Sequence, residues 1–149
     1  MNVNPLLTHR GGLLHDVCKL NDQEQKNHAM LAGDFLLAQN QFELSEIARR
    51  HLIGNLTSDE LKPITWEEKI VNYADKLSEG NVLVSLDQRL EALQQRYPEF
   101  AEKIRKNIPF VKKLETEITD ALNTSPDELM KNLKNALFNK NSHSSNGIL

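Results

Sequence analysis

No stretch of this chain alternates apolar and polar residues with period two, whereas apolar residues recur three and four positions apart along almost its whole length. That spacing is helical, and Val, Ile and Thr are sparse. The sequence therefore predicts an all-α fold, a compact helical bundle with no sheet. A first helix is expected over residues 5–19, with Pro5 suited to its first turn. It contains Gly11 and Gly12, each costing about 1 kcal/mol relative to alanine, so a kink or a close helix contact is expected there. A second helix is expected over 23–39, with Leu31, Phe35 and Leu36 on one side. A third is expected over 43–53, with Leu44, Ile47 and Ala48 on one side and Gly54-Asn55 at its end.

Residues 55–64 read as a loop closed by Pro63. Thr65 and Glu68 then have the form of a capping box, and the helix they open carries Ile70, Val71, Ala74 and Leu77 until Gly80-Asn81 ends it. Ser85 caps a helix that carries Leu86, Leu90 and Leu93 and stops before Pro98. A long helix follows over 99–123, with an interruption at Pro109 left open. Its pattern does not decide whether it covers a site or mediates homodimerisation. Ser125-Pro126-Asp127-Glu128 opens a last helix with Leu129, Leu133 and Leu137 on it. The 149 residues fit one domain, expected over 1–138. Residues 139–149, rich in Asn and Ser, read as a disordered tail.

Composition excludes several function classes. The net charge is −3, so no strong positive field argues for nucleic acid. The longest apolar runs are a few residues, far short of the roughly 18–20 that span a bilayer, and the first residues do not form a secretory signal. A single cysteine, Cys18, allows no internal disulfide, so a cytoplasmic protein is expected.

Polar residues interrupt the apolar faces at four places. His28 precedes Leu31, Ala32 and Phe35 by three, four and seven residues, which puts it on an apolar helix face. His51 follows Ile47 and Leu44 by four and seven residues. Asp75 lies four residues after Val71, and burying a carboxylate costs several kcal/mol unless it is paired or binds a metal. His15-Asp16 directly follow Leu13-Leu14. Taken singly, each reads as well as a hydrogen-bonded core histidine, a carboxylate paired with an arginine, or a chance dipeptide. Taken jointly, they are four helices that each point an imidazole or a carboxylate inward, the way metal sites in helical bundles are built.

The segment LLHDVCK, with His15, Asp16 and Lys19, resembles the LLHDIGK signature of the HD (His-Asp) superfamily of metal-dependent phosphohydrolases. His28 in HAMLAGDFLL, His51 in IARRHLI and Asp75 in KIVNYADKLS are similar to its later His, His and Asp motifs, in the same order. LVSLDQRLEALQQRYP is similar to the stretch that follows the Asp in a bacterial and archaeal branch of small HD hydrolases, so the resemblance covers about residues 7–118.

The resemblance implies a helical bundle holding one or two divalent metals. His15, Asp16 and Asp75 would hold the first and His28 and His51 the second, with Asp16 bridging. Imidazole and carboxylate suit Mn, Fe, Co, Ni or Zn. Such ions polarise a phosphoryl group and lower the pKa of a bound water. The implied function is hydrolysis of a phosphoester on a small phosphorylated molecule or a nucleotide, with Asp16 and Lys19 as the catalytic residues. Lys19 would meet a substrate phosphate as a point charge; its plainer reading is a solvated cation at a helix end. No arginine-rich cleft that would name a substrate is visible in the sequence.

Two departures from the family pattern bear on activity. The pattern begins with a further His on a helix before the His-Asp pair, and only 14 residues precede His15 here. The sole upstream histidine, His9, is six residues away, about 600° around a continuous helix. Either the chain starts at an internal point or the first metal has three protein ligands. Cys18 stands where the family usually has Gly; it reads as a small buried thiol or as a soft extra ligand. Competing readings are a degenerate HD domain acting as a non-catalytic binding or regulatory protein, and a di-iron oxygenase.

Overall fold

Asn4 accepts hydrogen bonds from the Leu6 and Leu7 amides and so caps α1 (Pro5–Leu14), with Pro5 in the first turn. The computed structural model describes residues 2–21 and 28–144, with side chains as far as Asn139. Helix α1 stops at Leu14 rather than at residue 19, and a short 3-10 turn, Lys19–Asn21, follows it. The expected start of the second helix lies outside the described residues; α2 is described over His28–Ala38. Helix α3 (Phe42–Arg50) ends three residues earlier than its periodicity suggests, before a 3-10 turn at Ile53–Asn55.

Thr65 and Glu68 form both hydrogen bonds of a capping box at the start of α4 (Trp66–Asp75), and Ser85 and Gln88 do the same for α5 (Leu86–Arg96). Between them the chain forms a hairpin of two residues a side, β1 (Ser78–Glu79) and β2 (Val82–Leu83), antiparallel with Ser78 opposite Leu83 and Glu79 opposite Val82. Gly80 makes the turn at φ +60. This hairpin is the one exception, among the described residues, to the expected absence of sheet. Helix α6 (Ala101–Ala121) runs through Pro109 without a break, and α7 (Pro126–Ser144) begins beyond Ser125, whose Oγ accepts from the Glu128 amide. The stretch expected as a tail overlaps α7 as far as Ser144; residues 145–149 lie outside the described residues.

Two apolar clusters flank α4. On one side Val71 packs with Ala32, Leu36, Leu44, Ile47 and Ala48 of α2 and α3, joined by Leu7, Leu14 and Cys18. On the other, Tyr73 and Leu77 pack with Leu86, Leu90, Ile104, Val111, Leu114 and Ile118 of α5 and α6, and α7 lays Leu129, Met130 and Leu133 against them. The first cluster depends on close approach. A Cβ on Gly11 would stand 3.0 Å from Ile47 Cδ1 and 3.3 Å from Val71 Cγ2, so α1 reaches α3 and α4 only because it carries hydrogen there. Gly12 faces open space. Of the Gly11-Gly12 pair, then, one residue makes a close helix contact. No helix among the described residues is long and apolar enough to cross a membrane.

Candidate metal centre

His15, Asp16, His51 and Asp75 stand at helix ends, not along helix faces. His15 caps the C-terminus of α1, Asp16 lies in the turn beyond it, His28 stands at the start of α2 as described, His51 caps the C-terminus of α3, and Asp75 is the last residue of α4. The same local device ends α1 and α3. His15 Nδ1 is 2.8 Å from Gly12 O and His51 Nδ1 is 2.6 Å from Ala48 O. In each case the ring N–H donates to the carbonyl three residues back, which a continuing helix would have offered to the next backbone amide. The helix stops, and the ring is left as the tautomer whose Nε2 carries the lone pair.

The last carbonyls of α3 are satisfied from outside the helix. Asn55 Nδ2 donates to Arg49 O at 2.7 Å, Asn72 Nδ2 to Arg50 O at 2.8 Å, and Lys76 Nζ to His51 O at 2.8 Å. Asn72 and Lys76 lie four residues apart at the C-terminal end of α4, so two buried polar side chains bolt that end of α4 to the end of α3. Lys76 also donates to Asn72 O at 2.8 Å and faces Asp75 Oδ2 at 3.4 Å.

Asp16 is the hub of the group. Its Oδ1 is 3.3 Å from His28 Nε2 and 3.4 Å from His51 Nε2, and these two nitrogens are 3.2 Å apart. Its Oδ2 is 3.6 Å from His15 Nε2 and 2.5 Å from Lys19 Nζ. Asp75 Oδ1 lies 3.7 Å from the same His15 Nε2. The structure thus brings together all five residues singled out as ligands, with Lys19 at their edge.

The electrostatics follow from this crowding. Burial alone would raise the Asp16 pKa; His51, Lys19 and His15, all close to its oxygens, outweigh it and hold the carboxyl below the usual range. Asp75 is likewise held low, against burial, by the Lys76 charge and His15. His15 is raised: burial opposes its charge, but Asp75 and Asp16 prevail. Lys76 is pushed down by complete burial despite Asp75, and the Arg89 charge adds to the effect.

The donor set fits a divalent transition metal. His15 Nε2 and Asp16 Oδ1 are buried and have no hydrogen-bond partner among the described residues, a costly condition for polar atoms. One ligand atom each from His15, Asp16 and His51 lies within 4.8 Å of the others. The backbone bonds at both Nδ1 atoms are the usual outer support of metal-ligating histidines. His9 is exposed and outside this group, and Cys18 is a half-buried thiol packed against the α2–α3 cluster.

A cavity of about 530 Å³ opens beside the centre, with His28, His51 and Asp75 in its lining. Its charged lining was largely missed in the sequence: besides Lys19 it includes Lys76, Arg89, Arg96 and Lys103, against Asp75 and Glu99. An arginine-bearing cleft therefore does exist. Its one sequence signal is the seven-residue spacing of Arg89 and Arg96, two turns apart on one face of α5.

Comparison with known proteins agrees with the motif reading. A family model described as HD domain matches residues 1–80, the segment that contributes all five candidate ligands. An uncharacterised protein of the archaeon Methanocaldococcus jannaschii, MJ0778, is 30% identical to this chain over 72% of its length. The match spans 66% of that relative. No solved structure matches the chain with significance.

Proposed function

This chain belongs to the HD domain family, and on that premise we propose that it is a divalent-metal-dependent phosphohydrolase acting on a small phosphorylated molecule of about nucleotide size. The observation that carries the reading is the position of Asp16. Its two oxygens face different imidazole sets, Oδ2 toward His15 and Oδ1 toward His28 and His51, as a carboxylate bridging two sites would. In this reading His15, Asp16 and Asp75 hold one ion, and His28, His51 and Asp16 a second. Bound there, a divalent metal supplies Lewis acidity toward a phosphoryl oxygen and a lowered pKa for water.

The chain's own groups do the rest. The Nδ1 bonds of His15 and His51 keep both Nε2 lone pairs aimed inward. Lys76 holds the Asp75 carboxylate and the His51 turn in place. Lys19, paired with Asp16 and lining the cavity, would offer its ammonium to a phosphoryl oxygen of the substrate. The cavity is large enough for a nucleotide-sized molecule and has an apolar wall with Leu93 and Phe100 on it.

The test is a titration of chelator-treated protein with Mn²⁺ or Co²⁺, following occupancy and hydrolysis of a generic phosphoester together. Two binding steps are expected. The weaker is expected at the set with His15 and Asp75, which offers one imidazole where the other set offers two. Asp16→Ala removes a donor from both sets and is expected to cut occupancy and hydrolysis by more than about 100-fold. Full metal content in Asp16→Ala overturns the bridging role. Iron-dependent oxygen consumption without hydrolysis overturns the phosphohydrolase.

A further inference from the structure

Away from the metal centre, the α5 wall of the cavity carries two guanidinium groups closed on a single carboxylate. Arg89 Nη1 and Arg96 Nη2 donate to opposite oxygens of Glu79. Both arginines line the cavity, while Glu79 reaches them from β1, outside its lining. The Arg89 side chain is 13% exposed, and its Nε is buried without a hydrogen-bond partner among the described residues. Arg96 is 48% exposed. Two planar forks converging on the two oxygens of one anion form a receptor for phosphate as much as for carboxylate. Lys19 already stands at the metal centre for the scissile group, so these arginines are surplus to it. Glu79 sits at the Gly80 turn of a hairpin only two residues a side, a mount with little to hold it.

We propose that Arg89 and Arg96 form a second anion subsite, occupied by Glu79 at rest, which takes a phosphate or carboxylate of the substrate remote from the scissile phosphoester. The substrate class that follows is a small molecule with an apolar body and two anionic groups, one reacting at the metal centre and the other displacing Glu79. This deepens the phosphohydrolase reading and rests on it for the reaction, but the subsite itself can be tested without catalysis.

In chelator-treated protein, inorganic phosphate titrated by NMR should bind in the fork. Arg96→Ala, the more exposed of the two arginines, should weaken that binding by about 10-fold or more. Glu79→Gln should tighten it, because the competing charge is gone. A merely structural strut would give the reverse signature: Glu79→Gln lowering the melting temperature with no gain in phosphate binding, a result that overturns the proposal. With metal restored, phenyl phosphate, 4-carboxyphenyl phosphate and phenylene bisphosphate separate the two kinds of second anion. The esters that carry a second anionic group should show the lower KM, and Arg96→Ala should erase that advantage. Phosphate binding that follows the variants without any hydrolysis upholds the subsite and sinks the phosphohydrolase. Hydrolysis indifferent to the second anion, with phosphate binding indifferent to Arg96, does the opposite.

Discussion

Helices α1–α4 and helices α5–α7 are packed by different means, and the difference explains why the metal centre is where it is. The first group is built on small residues: Ala29, Ala32, Ala48 and Gly11 are all buried, and Gly33 lets the Arg49 stem cross where a Cβ would stand 2.3 Å from Arg49 Cγ. Small contacts bring helices close, and close helices bring their ends together, here with His15, His51 and Asp75 on those ends and His28 beside them. The second group packs ordinary large side chains, such as Leu90, Ile104, Leu114 and Ile118, and contributes no ligand. What it contributes is a wall of cations. The family match ends at residue 80. The candidate metal ligands therefore belong to the matched half, and Arg89, Arg96 and Lys103, on the cavity wall, to the other.

Helix α4 is shared, so the largest expected effect comes from cutting its tie to α3. Lys76→Met keeps the volume but removes the charge under Asp75 and the donor to the His51 and Asn72 carbonyls. Breaking a buried, hydrogen-bonded charge in this way should cost about 3–5 kcal/mol, read by urea denaturation, and should weaken metal binding as well. A cost under about 1 kcal/mol, with metal affinity intact, would mean that the two halves are not joined through Lys76.

Close approach in the first half can be tested with neighbouring glycines. Gly11→Ala puts a methyl 3.0 Å from two Ile47 carbons. Overpacking of about 1–3 kcal/mol then opposes the gain of about 1 kcal/mol from helix propensity. Gly12→Ala meets nothing within 4 Å and should collect only the gain. The two variants should therefore differ by about 2 kcal/mol in opposite directions around wild type. Equal stabilities would show that α1 has room to move and that the close-packing account is wrong.

What could be read from the sequence was local or contiguous. Both capping boxes need only neighbours in the chain, and the Ser85 and Thr65 caps stand where the sequence puts them. The ends of α1 and α3 were overrun because the stop signal is a histidine turning its own Nδ1 onto the preceding turn, which no propensity encodes. On α2, hydropathy favoured Leu31 and Phe35, yet these are 38% and 48% exposed while Ala29, Ala32 and Gly33 are buried. Residue size misleads where the packing demands small residues. The five candidate ligand positions could be picked out through motif order, and their convergence is a matter of geometry. Arg89 and Arg96 had only their spacing to announce them, and their meaning depends on α5 lying beside the metal centre, a tertiary fact. Lys76 was invisible because a lysine after an aspartate normally reads as solvent.

The smallest effect expected is confined to the second half. Tyr73 Oη donates to Glu115 Oε1 at 2.9 Å, both residues are buried, and Lys112 pairs with the other oxygen of Glu115 at 3.4 Å. Tyr73→Phe removes one hydrogen bond from a carboxylate that keeps its lysine, so the cost at neutral pH should be about 1 kcal/mol. The pH dependence gives the prediction its edge. The Tyr73 hydroxyl is pushed above its ordinary pKa of 10.0, first by burial and then by the Glu115 charge and the hydrogen bond that requires the proton. A pKa raised in the folded state contributes stability that is complete below the unfolded value and is lost as pH rises through the folded one. Wild type should therefore lose its advantage over Tyr73→Phe only above about pH 10, while the phenylalanine form has no such proton to lose. Urea midpoints from pH 7 to the alkaline limit would read this directly, and metal occupancy should match wild type throughout, because no ligand lies on that side of α4. A stability gap that stays constant through the alkaline range would show that Tyr73 makes no proton-dependent bond to Glu115. A gap accompanied by lost metal would show that the two halves are less separate than their packing implies.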